Sequence, residues 1–302
     1  MTWLTAALLS TGVLAVVSVL DKRLVDHMFP SISAFNVTFG MLQLVVALLF
    51  FIIVFLSAGF DGGSGIPWAI AAGVVWAAAL VLFFHGLRLE EVSRAAPILA
   101  IAPIFTAVVA VSFLGEELSA MQWAAIFAVV VGAVMISVRP ESGAYRIAHG
   151  KAFLVLLASS FAFGMAFIVS SEAVERMNVW AVQSFRALFV GIGVLAVSWR
   201  PSVNSELRQV FGSRQAMGMI FIAEGMLAPV GSLMFAVAVS LGPVSLVSAV
   251  MSSIPVAVLM LSTLLSTRIW NVFNEPLDRR ILGLKAFSTA LIVGAVATLA
   301  LQ

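Results

Sequence analysis

The sequence predicts an all-α polytopic membrane protein, with ten transmembrane helices arranged as two inverted five-helix repeats. Three observations carry this. The 302 residues are 62% hydrophobic and only 10% charged, whereas a soluble domain is about a quarter charged, so the surplus apolar surface has to meet lipid. The chain breaks into ten apolar segments, each near the roughly 20 residues that a helix needs to cross a bilayer. Two stretches far apart in the chain also align without a gap. Residues 86–103 (GLRLEEVSRAAPILAIAP) set Leu89, Val92, Ser93 and Pro103 on Leu241, Val244, Ser245 and Pro255 of residues 238–255 (AVSLGPVSLVSAVMSSIP).

In chain order the segments lie at about 2–20, 32–57, 67–87, 92–113, 119–138, 151–171, 178–198, 216–239, 243–265 and 281–301. The first has no basic stretch before it and no small-residue cleavage site after it, so it reads as a span and not as a removed leader. The connections are mostly short and rich in Gly, Pro, Ser or charge, as in Phe60–Ile66 (FDGGSGI). The segments are too long for the strands of a membrane barrel and lack their period-two alternation. Five segments fall in residues 1–138 and five in 151–302, with residues 139–150 as a linker.

Five is odd, so the second half must run upside down relative to the first. The basic residues agree. Of the 16 Lys and Arg, fourteen fall in connections on the face opposite the two termini, one (Arg176) falls on the termini's own face, and one (Arg186) lies within a span. Positive residues mark the cytoplasmic side, which places both termini outside.

The last spans of the two halves share a small-residue stripe: Ala124, Ala128 and Gly132 in one, Ala286, Ala290 and Gly294 in the other. Such stripes let helix backbones approach closely where lipid supplies no hydrophobic drive for association. These two helices are expected to join the halves or to form a homodimer surface.

The run Phe84–Ser137 resembles an EamA domain of the drug/metabolite transporter superfamily. The resemblance rests on Leu89 and Val92-Ser93 opening the fourth span, Pro103 within it, Gly115-Glu116 closing it, then Gln122 and Gly132. Leu241, Ser245, Pro255, Glu275 and Gly294 repeat the order in the second half. It implies a ten-helix secondary transporter of small metabolites in the cell (inner) membrane. The family is generally drawn with cytoplasmic termini, against the charge tally.

Other chemistries find no support. No G-x-x-x-x-G-K-[ST] is present, nor a G-x-G-x-x-G between strand and helix. With no Cys, one Tyr and three His, the chain is poorly equipped for an intramembrane enzyme, and no cofactor or metal is expected. No basic stripe interleaved with aromatics points to nucleic acid. A scaffold or receptor without transport remains the rival reading.

Charge deep inside a span is costly and marks function by default. Arg186 and Glu224 each lie about eight residues into a span, roughly 12 Å deep at 1.5 Å per residue. In a core of about 30 Å their heights differ by about 6 Å, close enough to pair directly or through water. Arg186 would meet a carboxylate or phosphate of a substrate, and Glu224 an amine or a coupling proton. Asn36, Gln43 and Gln183 are embedded amides that bond across helices or face substrate. Trp76 lines a cavity or packs in the bundle. His85 is an interfacial residue or a ligand. Trp180 begins a span and fits the interfacial aromatic belt. Asp21 and Lys22 form an exposed cytoplasmic end or a salt-bridged gate. Pro97, Pro103, Pro229 and Pro255 interrupt spans, and broken helices at matching positions of two repeats, as at Pro103 and Pro255, point to a binding site. The expected activity is secondary active export or exchange of a small polar or amphipathic metabolite such as an amino acid, by alternating access.

Overall fold

The computed structural model describes residues 2–57, 63–89, 98–137, 150–266 and 279–300. The linker at 139–149, Pro97 and the Asn274–Leu277 motif lie outside these residues, as do the side chains of Arg88 and Ala286. The described residues are almost entirely helical: α1 (Trp3–His27), α2 (Ile32–Ser57), α3 (Ile66–Leu89), α4 (Ala102–Leu114), α5 (Ala120–Ser137), α6 (Lys151–Arg176), α7 (Val179–Ser198), α8 (Val203–Gly212), α9 (Arg214–Leu241), α10 (Val244–Met251), α11 (Ile254–Ser266) and α12 (Arg279–Ala300). Six stretches, in α1, α2, α3, α6, α7 and α9, are long and apolar enough to cross a membrane. Shorter apolar stretches at Ala102–Leu114, Ala120–Met135, Val244–Val258 and Phe287–Leu299 coincide with the remaining four predicted spans.

The halves are interleaved, and their contacts come in exchanged pairs. First-half α1 packs on second-half α9, and second-half α6 packs on first-half α3. Helix α2 packs on α7, α5 on α12, and α4 on α10, each with its own counterpart. The same images appear at single hydrogen bonds. Ser10 Oγ donates to Gly231 O at 2.7 Å, and Ser159 Oγ donates to Ala79 O at 2.9 Å. The next residues follow suit: Thr11 Oγ1 to Val250 O at 3.5 Å and Ser160 Oγ to Leu99 O at 3.4 Å. In lipid a hydroxyl cannot be satisfied by solvent, so each seam uses the nearest backbone carbonyl of the other half.

The fourth and ninth predicted spans both break at their proline. Pro103 lies in the first turn of α4 and Pro255 in that of α11. Ile101 N to Ile98 O (3.3 Å) and Ile104 N to Ile101 O (3.0 Å) bracket one break; Ser253 N to Val250 O (3.0 Å) and Val256 N to Ser253 O (2.9 Å) bracket the other in the same register. Proline cannot supply the donor that would carry the helix across. At the far end of α4 a π-helical turn, Ala110–Leu114, stops at Gly115 with φ of +72°, a left-handed cap that favours glycine.

Helix α1 runs seven residues past the predicted end of its span. Leu24 is fully buried there with Phe29, Phe35 and Leu207, so apolar packing prolongs the helix through its charged turn. The short α8 was not expected. Its Val203, Leu207 and Val210 turn inward, and Glu206 accepts a hydrogen bond from Ser31 Oγ at the start of α2.

Helices α5 and α12 pack on each other, but not stripe to stripe. Gly132 is buried against α12, where an added Cβ would lie 2.5 Å from Ile292 Cγ1 and 3.1 Å from Ser288 O. Ala128 is half-buried beside it. Helix α12 answers with Ser288, Ile292, Ala295 and Leu299, while Ala290 and Gly294 face outward. A stripe at i, i+4 fixes one face of a helix, and here the face turned to α5 is its neighbour.

Candidate functional site

Arg186 sits in the second turn of α7, on a face buried by two neighbouring helices. Gly73 of α3 permits the close approach: an added Cβ there would stand 2.9 Å from Arg186 O and 2.7 Å from Phe189 Cβ. Arg186 is 8% exposed. Its Nε donates to Gln183 Oε1 at 2.7 Å, and its guanidinium carbon lies 4.8 Å from the centre of the Trp76 ring. Gln183, 1% exposed, donates from Nε2 to Ser232 Oγ on α9 at 2.8 Å, and Ser232 Oγ in turn donates to Pro229 O at 3.1 Å. One chain of polar contacts therefore runs from α7 to the backbone carbonyl of Pro229 on α9.

Around it stand aromatic rings. Trp76 packs on Phe163 and Phe167 of α6 at 5.7 Å and on Phe235 of α9 at 6.0 Å, and Phe167 meets Phe235 edge-on at 4.9 Å. Trp76 thus belongs to the packed bundle and at the same time offers a face to Arg186. A desolvated cation over an aromatic face gains about 2 kcal/mol, which only partly offsets taking a guanidinium out of water. Among the described residues no carboxylate pairs with Arg186. Of its five N–H donors, Nε alone has a partner here.

Glu224 does not join this group. It lies, 5% exposed, in a π-helical stretch of α9, Phe221–Leu227, where Ala228 N reaches back to Ala223 O. Pro229 follows at once and lies in the first turn of the α-helical stretch beyond. The π turn absorbs the register shift that the missing proline donor forces. The neighbour of Glu224 across the seam is Asp21 of α1, the two carboxyl groups lying side by side where α1 packs on the π turn. The expected ion pair of Arg186 with Glu224 is absent among the described residues, because each faces a different helix: Arg186 turns to α3, Glu224 to α1. Asp21 is not an exposed helix end; its Oδ1 is sealed from solvent. The signal that could have shown this is the helical pattern continuing through Leu24, which makes position 21 an interior turn.

The remaining predicted residues scatter. Asn36, buried on α2, donates from Nδ2 to Ser198 Oγ at 3.4 Å, and its Oδ1 has no hydrogen-bond partner. Gln43 is half-buried two turns further along α2. His85 is exposed near the end of α3, nine residues and so about 14 Å beyond Trp76, and is not brought to Arg186. Trp180 is 39% exposed at the start of α7, its ring tilted against that of Phe50 at 5.8 Å. Ser232 and Ser198, hydroxyls in otherwise apolar stretches, escaped the sequence reading.

At the opposite end of the bundle the two halves of the duplicated motif meet. Glu116, just after the left-handed Gly115, accepts from Val244 N at 2.6 Å and from Ser245 N at 3.4 Å, and Ser245 Oγ bonds the same carboxylate. A carboxylate at a helix N-terminus satisfies orphan donors and complements the dipole. The Gly-Glu of one half therefore caps the Val-Ser of the other.

Comparison with known proteins agrees with this architecture. The profile of the EamA-like transporter family matches residues 1–138 and 150–273. An uncharacterized transporter in the cobO 3' region of a Sinorhizobium species is 29% identical over 143 residues, covering 45% of this chain and 96% of that protein. A crystal structure titled only as that of a protein superposes with a TM-score of 0.71 at 16% identity, over 99% of this chain and 95% of that one; it speaks to fold alone.

Proposed function

We propose, from the premise that this chain belongs to the EamA-like transporter family and is a multi-pass membrane transporter, that it carries a small metabolite bearing a carboxylate or phosphate, and that Arg186 receives that group. The observation behind this reading is a buried guanidinium with no carboxylate partner among the described residues. Such a cation is costly in lipid, and a substrate anion would offset the cost. The planar fork of arginine suits bidentate contact with a carboxylate or phosphate. Gln183 holds Nε, so the fork end faces outward from that contact. The rings of Trp76, Phe163, Phe167 and Phe235 give the apolar part of an amphipathic molecule, such as an amino acid, a surface to lie on. Transport would proceed by rocking of the two interleaved halves, in the direction of export or exchange.

The test is thermal stabilisation of the purified protein across a library of anionic, cationic and neutral metabolites. Anionic compounds should raise Tm in the wild type. In Arg186→Gln the shift should vanish, and in Arg186→Lys it should weaken. One lost charge-assisted hydrogen bond costs about 1.5–3 kcal/mol, which is roughly 10- to 100-fold in affinity. An unchanged ligand shift in Arg186→Gln rejects the assignment.

A further inference from the structure

The Asp21–Glu224 contact lies outside the Arg186 cluster, and it joins the halves: Asp21 is on α1 of the first, Glu224 on α9 of the second. A carboxylate can only accept, so two carboxyl groups hydrogen-bond each other only when one of them carries a proton. Glu224 is buried, and Asp21 Oδ1 is shut off from solvent with no hydrogen-bond partner. An unmet buried acceptor is costly and calls for an explanation. The backbone is irregular at the same point, in the π turn ahead of Pro229, and π turns recur at functional sites.

The other charges near the pair are few. Helices α2, α10 and α11, which also pack on α1 or on the π turn, carry no charged residue. Helix α1 itself carries Lys22, Arg23, Asp26 and His27 within two turns of Asp21, α9 carries Arg214 ten residues before Glu224, and α8 at the same end carries Glu206 and Arg208.

We propose that Asp21 and Glu224 form one exchangeable proton site bridging the two halves, and that this proton decides how tightly α1 is held against α9. With the proton present, the carboxyls tie the helices together. When it leaves a carboxyl O–H for water, no other bond is made or broken. Two negative charges then face each other in a poorly solvated place and repel. Further along the same seam, the Ser10 to Gly231 contact is expected to loosen. The use of this site rests on the transporter reading, where it would let a proton gradient drive the alternation of the halves.

The experiment uses the full chain in lipid nanodiscs, with the proton itself as probe. Infrared spectra across a pH titration should show a deuterium-sensitive carboxylic-acid band that disappears as pH rises. The Asp21→Asn/Glu224→Gln double variant should remove that step, each single amide variant, which leaves one titratable carboxyl, should move its midpoint, and Glu224→Asp should retain it with a displaced midpoint. The chain has no cysteine, so Ser10→Cys gives a single thiol at the seam. Over the same titration its maleimide labelling should rise several-fold relative to the same thiol in the Glu224→Gln background, which cancels the intrinsic pH dependence of the thiol. A titration step that survives in the double variant, or that keeps its midpoint in both single amide variants, overturns the proposal, as does a flat labelling ratio. Neither readout needs a substrate. Their failure leaves the Arg186 assignment standing, and failure of Arg186 to bind an anion leaves them untouched.

Discussion

A single glycine sets how close Arg186 comes to Trp76. At Gly73 a methyl group would sit 2.9 Å from Arg186 O and 2.7 Å from Phe189 Cβ, and neither a backbone oxygen nor a Cβ can move aside. Gly73→Ala should push α3 from α7 and lower stability by about 1–3 kcal/mol, as overpacking does. Thermal melts of the purified protein would read this, and the anion-induced shift should fall with it. At this scale the sequence showed the charges and misjudged their company. Arg186 and Glu224 stood out because charge within a span is rare. Their heights allowed a pair, but height along a helix says nothing of the direction in which a side chain points, and the two turn to different neighbours. Asp21 was hidden by its position next to Lys22 and Arg23, which looks like the end of a span.

Among the elements, α10 shows how two short motifs in separate halves become one structure. Its first donors are met by Glu116, which arrives on the turn made by Gly115. Glu116→Ala should cost about 1–2 kcal/mol, as loss of a helix cap does, and Glu116→Gln should cost less because an acceptor remains. Gly115→Ala should add a penalty of about 1–2 kcal/mol for a left-handed residue with a Cβ. Denaturation melts of the three variants give the order. The sequence offered Gly115-Glu116 and Val244-Ser245 as recurring pairs without a reason for their recurrence. The reason is spatial, since Gly115-Glu116 of the first half completes the helix end that Val244-Ser245 opens in the second. The proline breaks were visible in the sequence as residues; the π turn before Pro229 was not, because a proline shows that a donor is missing but not how the preceding turn takes up the register shift.

For the whole molecule the governing fact is the exchange of halves. The seams at Ser10–Gly231 and Ser159–Ala79 are images of each other, as are the breaks at Pro103 and Pro255. Reporter fusions in the Arg139–Lys151 and Arg200–Arg214 connections should therefore both report the cytoplasm, because two spans, α6 and α7, separate them and the basic residues cluster on one face. Opposite reports from the two connections would end the inverted-repeat topology.

By itself the sequence determined the solvent, the number of spans and their duplication, because lipid demands about 20 apolar residues per crossing and a repeat leaves its register in the residues that remain. It also exposed Arg186 and Glu224 as charges out of place. The tertiary structure alone decided which helix each charge faces, that Asp21 meets Glu224 across the halves, and that Gly132 packs against Ile292 while Gly294 turns away. Composition and spacing act along one helix, whereas a partner is chosen by rotation about its axis, and in a helix apolar on nearly every side that rotation is set only by the neighbours it packs against.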